Sequence, residues 1–258
     1  MYLRDAHVEK DLSVLHQLVR DNPLGLLTTA IKTESHPFLQ ASHIPMVLDA
    51  PSETEPGVLR CHIARQNPQS KAMIEELTSG ANPKGNGGVL EHEVLVTFTA
   101  DYHHYVTPKF YVETKPDTGK VVPTWNYAAA QAYGRAKVYF DSKAENTGAF
   151  LDSQIASLTR NSEADIMGYT GEEGQPKAWK VTDAPGNYIE ILKKNIIGIE
   201  IKVDRLVGKF KMSQEMRKGD REGVADGFLG LKSEIAQGVG KMVKQRGELK
   251  DAATHPSA

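Results

Sequence analysis

A junction between a strand-like and a helix-like segment carries the side chains that a phosphate group requires. The stretch "HIARQNPQSKAM" ends its strand pattern at Arg65 and begins a helix pattern at Asn67, with Ser70 and Lys71 in the first turn. A guanidinium, a hydroxyl, an ammonium and the free N–H groups of a helix start together suit a phosphate monoester. Solvated charges at an ordinary turn are the alternative interpretation. The P-loop spacing G-x-x-x-x-G-K-[ST] is absent from the sequence.

A second set of residues combines aromatic rings with small polar groups, in "DYHHYVTPKFY" and in "VPTWNY". Its members are Tyr102, Tyr105, Tyr111, Trp125 and Tyr127, together with Thr107, Thr124 and Asn126. Such a mixture offers a flat apolar wall with hydrogen-bonding groups, which a planar heteroaromatic ligand needs. An aromatic corner of the core with hydrogen-bonded polar tips is the alternative.

The histidines and the cysteine do not form a metal-binding pattern. His103 and His104 are adjacent, so a strand would point them to opposite faces, and no H-E-x-x-H motif occurs. His43 precedes Pro45, and a proline in a strand indicates a sheet edge, although a structural role for this histidine is the alternative. The single cysteine, Cys61, is expected to be a small buried side chain. We therefore predict no metal site.

A basic cluster follows in "GKFKMSQEMRKGDREG". Its cations are Lys209, Lys211, Arg217, Lys218 and Arg221. Solvated surface charge is the ordinary interpretation, and a contact to a phosphate or to an acidic partner is the alternative. The formal net charge of -2 argues against a dedicated nucleic-acid binder.

The elements that must position these residues follow from hydrophobic periodicity and from turn residues. Helices are predicted at 9–21, 67–79, 143–160, 187–193 and after Asp220. Strands are predicted at 24–31, 38–49, 57–65, 93–108 and 131–140, and 196–212 is predicted to be a strand pair bent at Gly198 and Gly208. Several short strands interrupted by one helix predict a small antiparallel barrel that carries helices, in the α+β class.

Length and composition predict one domain with an extension. The chain has 258 residues, of which 40% are hydrophobic, and no apolar run reaches the roughly 18 residues of a membrane span. We expect a domain over 1–213, a helical extension over 214–250 and a disordered tail over 251–258. The charged start "MYLRDAHVEKDL" does not look like a secretory signal. The expected location is therefore the cytoplasm, with the nucleus as the alternative.

Several motifs in order resemble one known family. "MYLRDAH", "NPLGLLTT", "SHIPMVLD", "HIARQNPQ", "YVTPKFY", "VPTWNYAAAQAYGRA" and "GKFKMSQE" with "DREGV" are similar to the PaiB family of FMN-binding negative transcriptional regulators. The match runs from about residue 1 to residue 228. The insertions "GANPKGNGG" and "TKPDTGK" suggest a fungal-type member.

This resemblance implies a split β-barrel related to pyridoxamine-phosphate-oxidase-like flavoproteins, a homodimer, and FMN at or near the subunit interface. It places the FMN phosphate at Arg65, Ser70 and Lys71. The candidate residues around the flavin ring are His43, His62, Tyr105, Thr107, Thr124, Trp125, Asn126 and Gln131. Gln131 stands where many bacterial members look to have histidine. His43, His62 and Tyr105 are the candidate proton donors.

Three functions remain open at the level of sequence. The resemblance implies a redox- or ligand-linked negative regulator of transcription, but no helix-turn-helix pattern is visible, so a protein partner is as plausible as DNA. A flavin-dependent oxidoreductase that acts on a small molecule is the second hypothesis. A haem-binding or cofactor-free split-barrel protein is the third.

Overall fold

A computed structural model describes residues 1–79, 87–172 and 174–254. The insertion "GANPKGNGG" lies largely outside these ranges. So do residues 255–258 of the expected tail. None of the helices in the described ranges has the length and apolarity needed to cross a membrane.

Within these ranges the chain forms nine strands and seven helices. The strands are β1 (Val8–Glu9), β2 (Leu24–Ala30), β3 (Leu39–Pro45), β4 (Val47–Asp49), β5 (Val58–Ala64), β6 (Val94–Thr99), β7 (His104–Val106), β8 (Thr124–Tyr139) and β9 (Ile196–Lys211). The helices are α1 (Leu12–Asp21), α2 (Pro68–Thr78), α3 (Thr114–Thr118), α4 (Glu145–Asn161), α5 (Gly186–Lys193), α6 (Lys218–Leu229) and α7 (Glu234–Thr254). One-turn 3₁₀ helices occupy Asp5–His7, Pro108–Phe110 and Val181–Asp183, and a π-helical turn occupies Ser162–Ile166.

The chain divides into two compact units, and the long strands β8 and β9 each contribute to both. The first unit contains residues 1–22, 98–131 and 207–258. The second unit contains residues 23–97 and 132–206. The boundary that we expected at residue 213 falls inside the first unit.

The second unit is built on a curled antiparallel sheet. Its strands follow the order β3-β2-β6-β8-β9-β5-β4. Although β3 and β5 stand near opposite ends of this order, their Cα atoms come within 8 Å of each other. The sheet therefore curls toward closure without becoming a continuous barrel. The α+β split-barrel class predicted from the sequence is confirmed.

The predicted pair of strands at 196–212 is a single strand, β9. The glycines that suggested bends instead allow close packing inside each unit. A Cβ at Gly198 would lie 2.4 Å from the Phe150 ring, and one at Gly208 would lie 2.0 Å from the Leu15 side chain. Because glycine has no side chain, a neighbouring residue can pack directly onto the strand at these two positions.

In the first unit, β8 begins earlier than predicted. The expected strand started at Gln131, but the observed strand starts at Thr124 and includes most of "VPTWNY". The reason is the antiparallel pairing with β7, in which His104 lies opposite Asn126 and Tyr105 lies opposite Trp125. The polar residues at the start of β8 thus belong to a paired strand and point alternately to its two faces.

The C-terminal helices α6 and α7 also belong to the first unit. Two of their glycines lie where aromatic rings pack closely: a Cβ at Gly227 would lie 2.4 Å from the Phe110 ring, and one at Gly238 would lie 2.3 Å from the Tyr102 ring. Helix α7 continues through residues 251–254, which the sequence analysis assigned to the tail. Arg221 explains this extension, because it donates to the Gly247 carbonyl at 2.8 Å and to the Asp251 carboxylate at 2.6 Å.

Candidate functional site

Three rings form an exposed surface in the first unit, which we call the aromatic platform: His103, Tyr105 and Trp125. The Tyr105 and Trp125 rings, paired across the strands, have centroids 6.5 Å apart and meet edge to face. His103 lies on the other side, with its centroid 6.1 Å from the Trp125 ring. Tyr105 is 44% exposed and Trp125 is 48% exposed. These large rings therefore lie on the surface and not in a corner of the core.

The opposite face of the same strands is buried. Asn126 is fully buried, and its amide donates to the Ser213 hydroxyl at 3.0 Å. The His104 ring packs edge to face on Phe228 at 5.3 Å. The two histidines differ in their surroundings, since His103 is exposed and lies just before β7, which begins at His104. Asn126, which we had expected beside a ring, hydrogen-bonds within the interior of this unit.

The two threonines of the predicted ring wall have partners within the first unit. Thr107 accepts a hydrogen bond from the Lys109 amide at 3.3 Å and thereby caps the one-turn helix Pro108–Phe110. Thr124 is half-buried, and its hydroxyl accepts a hydrogen bond from the Lys211 ammonium. Thr107 thus has a local structural role, whereas Thr124 connects the start of β8 to a charged side chain.

Two lysines of β9, Lys209 and Lys211, lie next to the platform, and we call them the lysine pair. Lys211 donates to the Trp125 carbonyl at 2.9 Å. Lys209 is only 8% exposed, and its ammonium lies 5.3 Å from the centroid of the Tyr127 ring. Burial lowers the pKa of Lys211, and the charge of Lys209 lowers it further, while Glu215 opposes these effects. The sequence signal was the spacing of two, which places both lysines on one side of a strand.

Glu215 is the acidic neighbour of this cluster. Its carboxylate lies 2.9 Å from Nε2 of the buried His7. Burial opposes ionisation of Glu215, but His7 and the charge of Lys211 lower the pKa of the carboxyl overall. Glu215 is therefore held as an anion next to His7, and it compensates only part of the positive charge of the lysine pair.

The predicted phosphate-binding junction lies in the second unit, where most of its donors have backbone partners. Arg65 donates to the carbonyls of Lys194 at 3.1 Å and Phe140 at 2.6 Å. Ser70 is fully buried and donates to the Ala64 carbonyl at 2.8 Å. These contacts hold the strand against the helix. Lys71 is exposed, and it is the cation that this junction presents to solvent.

The remaining predicted residues lie on separate strands. His43 is exposed on β3. His62 is half-buried on β5, its Nδ1 atom has no hydrogen-bond partner among the residues that the structure describes, and burial lowers its pKa. Gln131 is half-buried on β8. Cys61 is fully buried, which raises the pKa of its thiol to about 12 and agrees with the expected packing role.

The structure thus groups Tyr105, Thr124 and Trp125 with the lysine pair in the first unit. It also adds His103, which the sequence had suggested only as a poor metal ligand. In the second unit it groups Arg65, Ser70 and Lys71, but with Arg65 and Ser70 engaged by backbone carbonyls. The first group retains exposed rings and incompletely neutralised cations.

This chemistry fits FMN, which combines a planar heteroaromatic ring with a phosphate monoester. The exposed platform can pack against a ring, and the buried ammonium of Lys209 can meet an anion. Fold and site together define a class of protein: a split-barrel protein with a surface suited to a planar, anionic cofactor.

Residues 1–205 match the family described as "Putative FMN-binding domain". The chain belongs to this family. The prediction of FMN as the cofactor is confirmed by this membership.

The chain is also similar to proteins of two fungi. An uncharacterized protein of Aspergillus fumigatus is 57% identical over 97% of this chain and 99% of its own length. An uncharacterized protein of Emericella nidulans is 56% identical over 97% of this chain and 99% of its own length.

Among solved structures, a conserved hypothetical protein from Mycobacterium tuberculosis is 12% identical, over 84% of this chain and 94% of that chain, with a TM-score of 0.46. A likeness at this level carries no argument about function.

Proposed function

We propose that this protein binds FMN at the aromatic platform and acts as a PaiB-type, redox- or ligand-linked negative regulator of transcription. The observation that carries the flavin site is the exposed pair Tyr105 and Trp125 next to the lysine pair. Large rings that lie half in solvent suit stacking by an aromatic ligand, and the lysine pair, which contacts the Trp125 backbone through Lys211, suits a ligand of negative charge. The regulatory part of the proposal rests on the family resemblance of the motifs.

A spectrum and a titration test the flavin site. Purified protein, or protein titrated with FMN, should show flavin absorption and quenched flavin fluorescence. Trp125→Ala removes the largest ring of the platform, so its affinity for FMN should fall about tenfold, as expected for loss of a stacking contact of ~1–1.5 kcal/mol. Trp179→Ala is the matched control, because Trp179 is 45% exposed in the second unit, outside the platform.

Three outcomes would contradict this proposal. A protein whose spectrum does not change with added FMN does not bind flavin, and a Soret band in the purified protein would support the haem alternative. Equal FMN affinities for the wild type, Trp125→Ala and Trp179→Ala would mean that the flavin ring does not pack on Trp125.

Regulation requires a second test, because the net charge of -2 does not favour nucleic acid. We propose that a flavin state is read by a protein partner or by DNA. A gel shift with genomic fragments at low salt, performed with oxidised and reduced protein, should show a state-dependent complex if DNA is contacted directly. Absence of a shift in both states would exclude direct contact with those fragments. The remaining hypothesis would then be that a protein partner reads the flavin state.

One observation favours the alternative of a flavin-dependent oxidoreductase. The Tyr105 phenol lies on the exposed platform, where a small substrate and a flavin ring would both have access. In that case FMN supplies hydride chemistry, and Tyr105 would orient the substrate or hold a proton at its hydroxyl. Bleaching of bound FMN by a reduced nicotinamide, slowed in Tyr105→Phe, would support this alternative, and stable absorption would count against it.

We also propose a homodimer, as the resemblance implies. The exposed apolar side chains Leu24 and Leu39 on paired strands β2 and β3 support this proposal. They are 58% and 66% exposed, which is unusual for leucines on one face of a sheet.

A further inference from the structure

Lys209 is a buried cation whose described contacts are uncharged. It is 8% exposed, and its ammonium lies 5.3 Å from the Tyr127 ring centroid and 5.9 Å from that of Tyr2. In the described part of the chain, no carboxylate lies within 4 Å of this ammonium. Cation–π contacts offset only part of the cost of removing an ammonium from water. An anion at this position would offset the rest of that cost.

Lys211 adds a second positive charge near Lys209. It follows Lys209 by two residues in β9, so both side chains project from one side of the strand. Its ammonium donates to two neutral oxygens, the Thr124 hydroxyl and the Trp125 carbonyl. Burial and the neighbouring charge of Lys209 lower the pKa of Lys211, so the two cations disfavour each other.

The available carboxylate does not neutralise both lysines. Glu215 lies near Lys211, but it is engaged with His7 at 2.9 Å. One carboxylate therefore faces two ammonium groups. The cluster retains positive charge, and its donors can reorient from the neutral oxygens to a stronger acceptor.

The backbone next to the pair is also constrained. Ser213 has a φ of 60° although it is not glycine, and it is 1% exposed. Its hydroxyl is hydrogen-bonded to Asn126, which holds the end of β9 against β8 within the first unit. Strained positions that the surrounding structure holds in place are common at ligand sites, because they pre-organise the neighbouring side chains.

We infer that Lys209 and Lys211, rather than Arg65, Ser70 and Lys71, bind the phosphate of FMN. This inference rests on the proposed function, since it concerns the same flavin site. The ligand chemistry is a phosphate monoester dianion, which two ammonium groups beside a hydroxyl can bind as point charges and hydrogen-bond donors. The platform lies alongside, because Lys211 contacts the backbone of Trp125.

A comparison of FMN with riboflavin tests the inference, because the two ligands differ only by the phosphate. Fluorescence titration should give the wild type a preference for FMN of about tenfold or more, as expected for charge-assisted hydrogen bonds. Lys211→Met should remove most of this preference and leave the affinity for riboflavin unchanged. Lys209→Met should do the same, and Lys211→Arg should retain the preference.

The control is Lys71→Met, which removes the exposed cation of the rival junction. It should leave both affinities unchanged. Thermal unfolding of each variant checks folding, and if Lys209→Met does not fold, the half-buried Lys211 decides the test alone.

Failure of the proposed function can be distinguished from failure of the lysine-pair inference. A wild type that binds neither flavin overturns the proposed function. A wild type that binds flavin, with an FMN preference that survives Lys211→Met or is lost in Lys71→Met, overturns only the lysine-pair inference. Equal affinities of the wild type for FMN and riboflavin also overturn it, even if inorganic phosphate binds the lysines.

Discussion

At the scale of single residues, Asp220 is the buried carboxylate whose role is clearest. It is fully buried in α6 and accepts hydrogen bonds from the Glu113 amide at 2.8 Å and the Thr114 amide at 3.1 Å. These are amides at the start of α3, where a negative charge is favourable. Burial opposes ionisation of Asp220, but the hydrogen bonds and the nearby Arg217 lower its pKa below the ordinary value of 3.8.

The lowered pKa of Asp220 predicts a loss of stability in acid. The carboxylate form favours folding, so its contribution is fully present above pH 3.8 and is lost as the pH falls through the lower folded pKa. Asp220→Asn should reduce the free energy of unfolding at pH 7 by about 1–3 kcal/mol. Urea unfolding at pH 7 and at pH 3 should show that the difference from the wild type shrinks in acid.

Asp117→Asn is the control for this prediction. Its carboxylate pairs with Arg217 at 2.8 Å, but both side chains are 54% exposed. Such exposed pairs contribute about 0–1 kcal/mol. If the two variants are equally stable at pH 7, the buried capping role of Asp220 is refuted.

At the scale of elements, helix α6 depends on glycine where it crosses the backbone of the first unit. A Cβ at Gly223 would lie 2.4 Å from the Phe110 carbonyl oxygen, and a backbone atom cannot move away cheaply. Glycine ordinarily weakens a helix interior. The structure shows a compensating role, because the glycine permits a close approach that a larger residue would prevent.

Alanine substitutions at two helical glycines should therefore have opposite effects. Gly223→Ala should lower the free energy of unfolding by about 1–3 kcal/mol through steric overlap. Gly148→Ala in α4 is the matched control: its Cβ would meet nothing within 4 Å, so the higher helix propensity of alanine should raise stability by about 0.5–1 kcal/mol. Thermal or urea unfolding of both variants measures these two changes in the free energy of unfolding. A stabilising Gly223→Ala would mean that α6 does not approach Phe110 so closely.

At the scale of the whole molecule, the proposed homodimer makes the β2–β3 face the surface to test. Leu39→Glu places a charge on an exposed leucine of the edge strand β3. Burial of this charge in a subunit interface would be costly, so light scattering should show conversion from dimer to monomer. Ile166→Glu is the control, since Ile166 is similarly exposed, at 63%, outside this face. A monomeric wild type, or a Leu39→Glu variant that remains dimeric, would contradict the proposed interface.

The sequence by itself determined most of the elements and the FMN-binding character of the family. Period-two and helical patterns are local, so they located β2, β5, α1, α2 and α4 to within a few residues. Motifs joined in order indicated FMN, which the family match confirms.

Only the tertiary structure decided how the polar groups are used. It buried Asn126 against Ser213 and left Trp125 exposed, although both looked equally suited to a ligand. It engaged Arg65 with distant backbone carbonyls, while it left the buried Lys209 without a carboxylate partner among the described residues. Periodicity tells which residues share a face, but burial and hydrogen-bond partners depend on segments far apart in sequence. The phosphate prediction at Arg65, Ser70 and Lys71 therefore rests on residue type and order alone, whereas the burial of Lys209 and the partners of Lys211 are visible only in the fold.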